Sequence, residues 1–271
     1  MLTPSQADSL EIILVSPRNP LNIGAAARAM ANFGFHRLSI VAPFAQNWME
    51  AKSAVGAPDL LREARVFDTL AEAVAHCSLV IGTGSLDRRR PPQTILDLPA
   101  AAAQIRQALA GADAGNRQSH AALVFGSEKH GLTSDDLSWC HSLAVIDTCE
   151  AQPSMNLGQA VAVCLYEISR ITAEPDQEVE IAGEPNQEIK SVEHGIKSAE
   201  RPDSEQLDRL AMLIEETMAA VNYSTRGMRS ANGEALRVLL RRLMPNEADL
   251  RRMMGLFRRI LWQLGTRNRK V

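Results

Sequence analysis

Short, largely apolar runs recur through the first 170 residues, at 11–15, 38–41, 78–81, 121–125 and 143–146. They are too short for helices and lack the alternation of a strand with one wetted face, so they predict strands covered on both sides. Between them, the stretches 23–33, 70–76 and 99–109 space their apolar residues at helical intervals. Buried strands alternating with amphipathic helices predict an α/β domain on a mainly parallel sheet, spanning 1–172.

From 173 to 202 the pattern stops. Glu174, Asp176, Glu178, Glu180, Glu184 and Glu188 gather there with Pro175, Gly183 and Pro185. Acid and proline without periodic apolar positions predict a solvated acidic linker. Helical spacing returns over 203–271, through Leu207, Leu210, Ile214 and Met218, then Leu236, Leu239, Leu240 and Leu243, then Leu250, Met253, Phe257, Ile260, Leu261 and Leu264. This predicts a small all-α extension, with Asn246 as an N-cap after Pro245 and Asp249 near the helix start.

Composition adds bounds. With 45% hydrophobic and 23% charged residues the chain is of ordinary globular type. Its net charge of −3 argues against indiscriminate nucleic-acid binding, yet 14 basic residues stand against 8 acidic ones from Arg201 onward. The extension is therefore locally basic. Its paired arginines, Arg241-Arg242, Arg251-Arg252 and Arg258-Arg259, read equally well as solvated helix faces or as RNA contacts. Cys77, Cys140, Cys149 and Cys164 form no CxxC pair and no zinc-spaced cluster with histidine, so they read as small buried hydrophobes in a reduced protein without a metal. Residues 1–11 have no apolar core of a signal peptide, and no apolar run approaches the roughly 20 residues of a membrane span. A soluble, cytoplasmic protein is the expectation.

The familiar nucleotide signatures are absent. There is no GxxxxGK[ST], and Gly82-Thr83-Gly84 after a strand lacks the third glycine of a dinucleotide fingerprint, with Asp87 in its place. Three glycine-containing loops remain, each after an apolar run. The first, 19–34, carries Asn22, Gly24 and Arg28 among alanines; the second, 124–132, sets Ser127-Glu128-Lys129-His130 between Gly126 and Gly131; the third, 153–161, begins Pro153-Ser154-Met155-Asn156. Ligands of open α/β sheets bind at the carboxyl ends of strands, where such loops lie. Arg28 on a helix of small residues has little to cover it, and a phosphate or a partner subunit would suit its guanidinium. Ser154 reads either as a helix cap or as a ligand contact.

Together, Asn-x5-Arg, FGxExxGL and SxNLxxAV, in this order between about residues 12 and 170, resemble the three motifs of the SPOUT methyltransferases. Within them they are similar to the TrmH-like ribose 2′-O-methyltransferases of the TrmJ type. The resemblance implies a parallel sheet ending in a trefoil knot, a homodimer whose active site is completed across the interface, and S-adenosylmethionine bound at the knot. It places Thr83, Gly84, Ser85, Gly126, Ile146, Pro153, Ser154 and Met155 at the cofactor, and gives the catalytic role to Arg28, supported by Asn22, Glu128, Asn156 and Ser154. The implied substrate is tRNA, at position 32 of the anticodon loop. Two alternatives stay open: an enzyme acting on rRNA, and a non-catalytic RNA-binding factor on the same scaffold. Removing the extension is expected to weaken tRNA binding far more than cofactor binding.

Some residues depart from the TrmJ pattern. Ser127-Glu128-Lys129-His130 stands where Arg-Glu is usual, and Gly158 where Ser or Ala is common. Arg88, Arg89 and Arg90 form a basic loop that reads either as an RNA contact or as simply solvent-exposed. His36, His130 and His141 read as solvated or loop-packing residues rather than catalysts.

Overall fold

The computed structural model describes residues 2–44, 48–84, 91–110, 120–170, 201–223 and 227–268. Among them, β1 (Leu10–Val15), β2 (Leu38–Val41), β3 (Arg65–Phe67), β4 (Leu79–Thr83), β5 (Thr94–Asp97), β6 (Ala121–Phe125) and β7 (Ser142–Val145) form one sheet. Its order is β3-β2-β1-β6-β4-β7-β5, and every pairing is parallel. The five apolar runs of the sequence are the five inner strands. Each edge holds a strand the pattern did not predict: β3 exposes Val66 and β5 exposes Ile95, so neither reads as a continuous apolar run.

Helices cover both faces. On one side α2 (Pro20–Phe33), α5 (Leu98–Leu109) and α7 (Leu157–Ser169) pack on Leu10, Ile12 and Leu14 of β1. On the other, the short α4 (Leu70–Val74) and α6 (Ser134–Ser138) cover Ile13 and Val15, with Trp139 and Cys140 in the same cluster. The five-residue α3 (Pro58–Arg62) and a four-residue α1 (Pro4–Ala7) complete the domain. Asn19 caps α2 by accepting from the Leu21 N–H at 2.9 Å, Pro20 opens its first turn, and Gly34 ends it at φ +75°.

Although β4 and β5 are consecutive, β7 lies between them and bonds to both. The chain reaches β7 from α6 on one face and continues to α7 on the other. This crossing is where the resemblance places the knot.

One further side chain, Glu11, was not legible as structural. Glu11 is buried in β1 and holds Arg65, Arg37 and Ser39 through its carboxylate. Burial pushes the carboxyl up, but its hydrogen-bonding neighbours His76, Arg65 and Ser39 outweigh this and bring it down to about 2. His141 is buried and its Nδ1 accepts the Val80 N–H at 3.0 Å; burial lowers it to about 3, so it packs as a neutral ring. Cys77, Cys140 and Cys164 are buried as expected, whereas Cys149 is exposed.

The extension consists of α8 (Ser204–Ala220), α9 (Arg229–Leu243) and α10 (Glu247–Asn268), gathered around Leu207, Leu210, Leu240 and Leu250. Asn246 caps α10, accepting from the Asp249 N–H at 2.9 Å, as the sequence predicts. The extension is docked on the sheet domain. The N–H groups of Ser204 and Glu205 donate to the carbonyls of Cys77 and Ala75 at 3.0 Å each. Arg241, expected to be solvated or in contact with RNA, is instead buried against the Trp139 ring. Arg242, Arg251, Arg252, Arg258 and Arg259 are exposed. The acidic linker lies almost wholly outside the described residues.

Candidate active site

The three motif loops meet at the carboxyl ends of β1, β6 and β7. Their meeting point is a chain of side-chain hydrogen bonds. Asn156 donates through Nδ2 to Asn22 Oδ1 at 2.9 Å, and Asn22 donates through Nδ2 to Glu128 Oε1 at 2.8 Å. Glu128 also accepts the backbone N–H groups of Arg18 at 2.9 Å and Asn19 at 3.1 Å. Three residues separated by 106 and 134 positions in sequence from Asn22 outward thus form one strut. Desolvation raises the Glu128 carboxyl, yet these donors win and hold it below the usual carboxylate range. With both oxygens engaged, Glu128 acts as a buckle for the loop after β1.

Asn156 has a second task. Its Oδ1 accepts from the N–H groups of Gly158 at 3.0 Å and Gln159 at 3.4 Å, so Asn156, not Ser154, caps α7. Ser154 is left to face the cavity. Gly158 is required by packing: a Cβ there would lie 2.6 Å from the Ala25 Cβ, where α7 crosses α2. Gly126 is required by the closure of its own loop. A Cβ on it would lie 2.1 Å from the Gly131 carbonyl carbon, because the second loop closes back on its own start. That closure is an antiparallel bridge between Ser127 and Gly131, with the Gly131 N–H donating to Ser127 O at 2.8 Å and Gly131 at φ +64°.

Beside the strut lies a cavity of about 330 Å³. Of the expected cofactor residues, Thr83, Gly84, Gly126, Ile146, Pro153, Ser154 and Met155 all line it, together with Glu128 and the apolar Leu132, Leu137, Leu143 and Leu157. Thr83 Oγ1 donates to Val124 O at 3.0 Å, and Thr148 Oγ1 donates to Pro153 O at 3.2 Å, which fixes the first and last walls. Gly84 leaves open space, since the atom nearest to a Cβ there would be Leu143 Cδ1 at 3.8 Å. Lys129, His130 and Thr148 also reach the cavity, although none was singled out as a cofactor residue. Their signal was only their place in polar loops after strands.

Arg28 is exposed on α2, its side chain makes no hydrogen bond or ion pair within the described residues, and it does not line the cavity of its own chain. Ser85, Arg88, Arg89 and Arg90 lie outside the described residues. Among the described residues no group of three His, Cys, Asp or Glu is placed to hold a metal ion, and no helix is long and apolar enough to cross a membrane.

A parallel sheet with β7 inserted between β4 and β5, and a cavity closed by three motif loops, defines the SPOUT class of RNA methyltransferases. The chain belongs to the SpoU rRNA methylase family, whose sequence profile matches residues 9–166. It is 40% identical over 162 residues, 59% of this chain and 60% of the other, to a tRNA (cytidine/uridine/adenosine-2′-O-)-methyltransferase TrmJ of Pseudomonas aeruginosa. A tRNA (cytidine/uridine-2′-O-)-methyltransferase TrmJ of Klebsiella pneumoniae is 31% identical over 249 residues, covering 92% of this chain and 94% of that one. The crystal structure of TrmJ from Z. mobilis superimposes with a TM-score of 0.73 at 28% identity, over 92% of this chain and 98% of the other.

Proposed function

We propose that this chain is a cytoplasmic tRNA 2′-O-methyltransferase that uses S-adenosylmethionine and acts at position 32 of the anticodon loop. The observation that carries this reading is the junction of Asn22, Glu128 and Asn156 beside the cavity. The TrmJ names of the relatives that match most of the chain support tRNA as the substrate. Residues 1–172 form the methyltransferase domain, 173–202 the acidic linker and 203–271 the extension.

The cavity suits the cofactor in size and chemistry, because small-molecule sites run from about 300 Å³ upward and combine apolar walls with a few polar groups. Ile146, Met155, Leu143 and Leu157 would flank the adenine, and the backbone at Gly84 and Gly126, with Thr83, Pro153 and Ser154, would hold its polar edges. The resemblance adds Ser85, next to Gly84 in sequence, to this set. The donor supplies a methyl group already activated as a sulfonium, so no metal is called for.

What the protein adds is alignment and relief of the charge that grows on the ribose oxygen as its proton leaves. Arg28 takes that role. A guanidinium, with its planar fork of donors, suits a phosphate and a developing alkoxide better than the removal of a proton. Asn22, Glu128 and Asn156 hold the start of α2, and so the direction in which Arg28 points. That Arg28 does not line the cavity of its own chain supports a site completed in a homodimer. Exposed Leu21 on α2 and Tyr166 on α7 lie on the helical layer that carries Arg28 and suit such an interface. Arg88, Arg89 and Arg90, with the exposed Arg242, Arg251, Arg252, Arg258 and Arg259 of the extension, supply phosphate contacts.

Arg28→Ala is expected to fold and to bind S-adenosylmethionine, yet to transfer labelled methyl to tRNA at least about 100-fold more slowly, the scale of losing one charge-stabilising donor. Turnover near wild type would remove Arg28 from the mechanism. A second reading, rRNA as substrate, is favoured by the name of the family itself. Methyl transfer to separated tRNA and rRNA pools distinguishes the two.

A further inference from the structure

The α6 segment stands between the cofactor cavity and the extension. On its inner side, Leu132 and Leu137 line the cavity. On its outer side, Arg237 of α9 grips it at three points. Arg237 Nη2 pairs with Asp135 Oδ1 at 2.6 Å, Nε donates to Ser138 Oγ at 2.9 Å, and the guanidinium lies 4.8 Å from the Trp139 ring centre. Arg241, one turn further along α9, lies 4.9 Å from the same ring and is buried, with no hydrogen-bond partner for Nε or Nη2. Burial pushes its guanidinium down to about 10. Two cations on one indole make a costly arrangement unless it fixes something.

What it fixes is a helix of five residues, too short to hold its place by its own hydrogen bonds. The Thr133–Asp136 capping box closes its first turn, and Gln93 Nε2 donates to Leu137 O at 2.6 Å. Otherwise its position is set by what stands behind it. A second cavity, of about 740 Å³, separates part of α9 from residues 91–93 and α6, and it shares Pro91 and Leu137 with the first. One layer of side chains therefore divides the extension from the cofactor site.

We propose that Arg237 is a positioning residue for the cofactor cavity, holding Leu137 and Leu132 against the ligand through Asp135, Ser138 and Trp139. This rests on the reading that the cavity takes S-adenosylmethionine. The extension then sets cofactor affinity, and by linkage whatever engages the extension changes that affinity too. This adds a cofactor role to the expectation that removing the extension weakens tRNA binding far more than cofactor binding.

The test is calorimetric titration of the full chain with S-adenosylmethionine, well below the melting temperature of every variant. Arg237→Ala is expected to weaken binding by at least about 5-fold, the lower end for coupled sites. Arg237→Lys, which can keep the pair with Asp135 but not the fork to Ser138, is expected to fall between Ala and wild type. The reversed pair Asp135→Arg with Arg237→Asp is expected to recover part of what Arg237→Asp alone loses. In turnover, KM for the cofactor rises while kcat at saturation stays within about twofold, because the reacting groups are untouched. Arg209→Ala removes an exposed ion pair to Glu205 on α8 and is expected to leave cofactor binding unchanged. Wild-type affinity in folded Arg237→Ala overturns the proposal. If that variant fails to fold, wild-type affinity in Arg237→Lys overturns it as well. Failure of the wild-type chain itself to bind S-adenosylmethionine would instead sink the functional reading beneath it.

Discussion

At the scale of single residues, the polar positions of the three loops were visible because nothing in a buried α/β corner calls for them. Asn22, Glu128 and Asn156 stood out against glycine and alanine, and the hydrogen-bonded strut accounts for all three. Asn156→Ala removes the cap of α7 and the link to Asn22 together. It is expected to cost about 1–2 kcal/mol of stability, near the upper range for a lost cap, read by urea unfolding. Gly126→Ala is expected to cost more than about 2 kcal/mol, since a close-packed loop must open to admit the methyl, and thermal unfolding will show it. Glu11 was hidden in an apolar run, because sequence alone does not show that Arg37, Arg65 and Ser39 converge on it. Its carboxyl is about 2 in the fold against an ordinary 4.5, so its contribution is full above about pH 4.5 and is lost as pH falls toward 2. Chemical denaturation between pH 5 and 2.5 is expected to show stability falling in that window, and Glu11→Gln is expected to flatten the fall.

At the scale of elements, periodicity located the inner strands and the long helices but not the edges of the sheet. β3 and β5 are three and four residues long with exposed side chains, so the apolar run that marks a doubly covered strand never forms. The extension was legible as helices, yet its docking was not. Arg241 looks like any arginine on the polar side of an amphipathic helix. Only the fold brings it to Trp139, 102 positions earlier in the chain. Of the two readings of Ser154, the cap falls to Asn156 instead, for a comparable reason. Both residues are good caps, and the loop held by Thr148 and Pro153 decides which of them sits at the helix start.

At the scale of the whole molecule, the cavity and the strut occur in one chain, while Arg28 stands apart from the cavity. The proposed homodimer would resolve that separation. Light scattering is expected to give twice the 29.6 kDa chain mass at assay concentration. Mixing Arg28→Ala with a variant disabled at the cofactor cavity, such as Gly84→Trp, is expected to restore part of the activity that each lacks alone. A strictly monomeric protein with full activity would contradict the shared site. The resemblance read from three motifs anticipated the family, because those motifs are the loops that the fold gathers. Periodicity alone would have stopped at an α/β domain with a helical extension.

The most direct measurement is mass-spectrometric mapping of tRNA that lacks 2′-O-methylation, after incubation with the protein and isotopically labelled S-adenosylmethionine. Label on a ribose at position 32 of the anticodon loop, lost with Arg28→Ala, is the predicted result. Label on a base, label only on rRNA, or no label at all from a folded, cofactor-binding protein would contradict it.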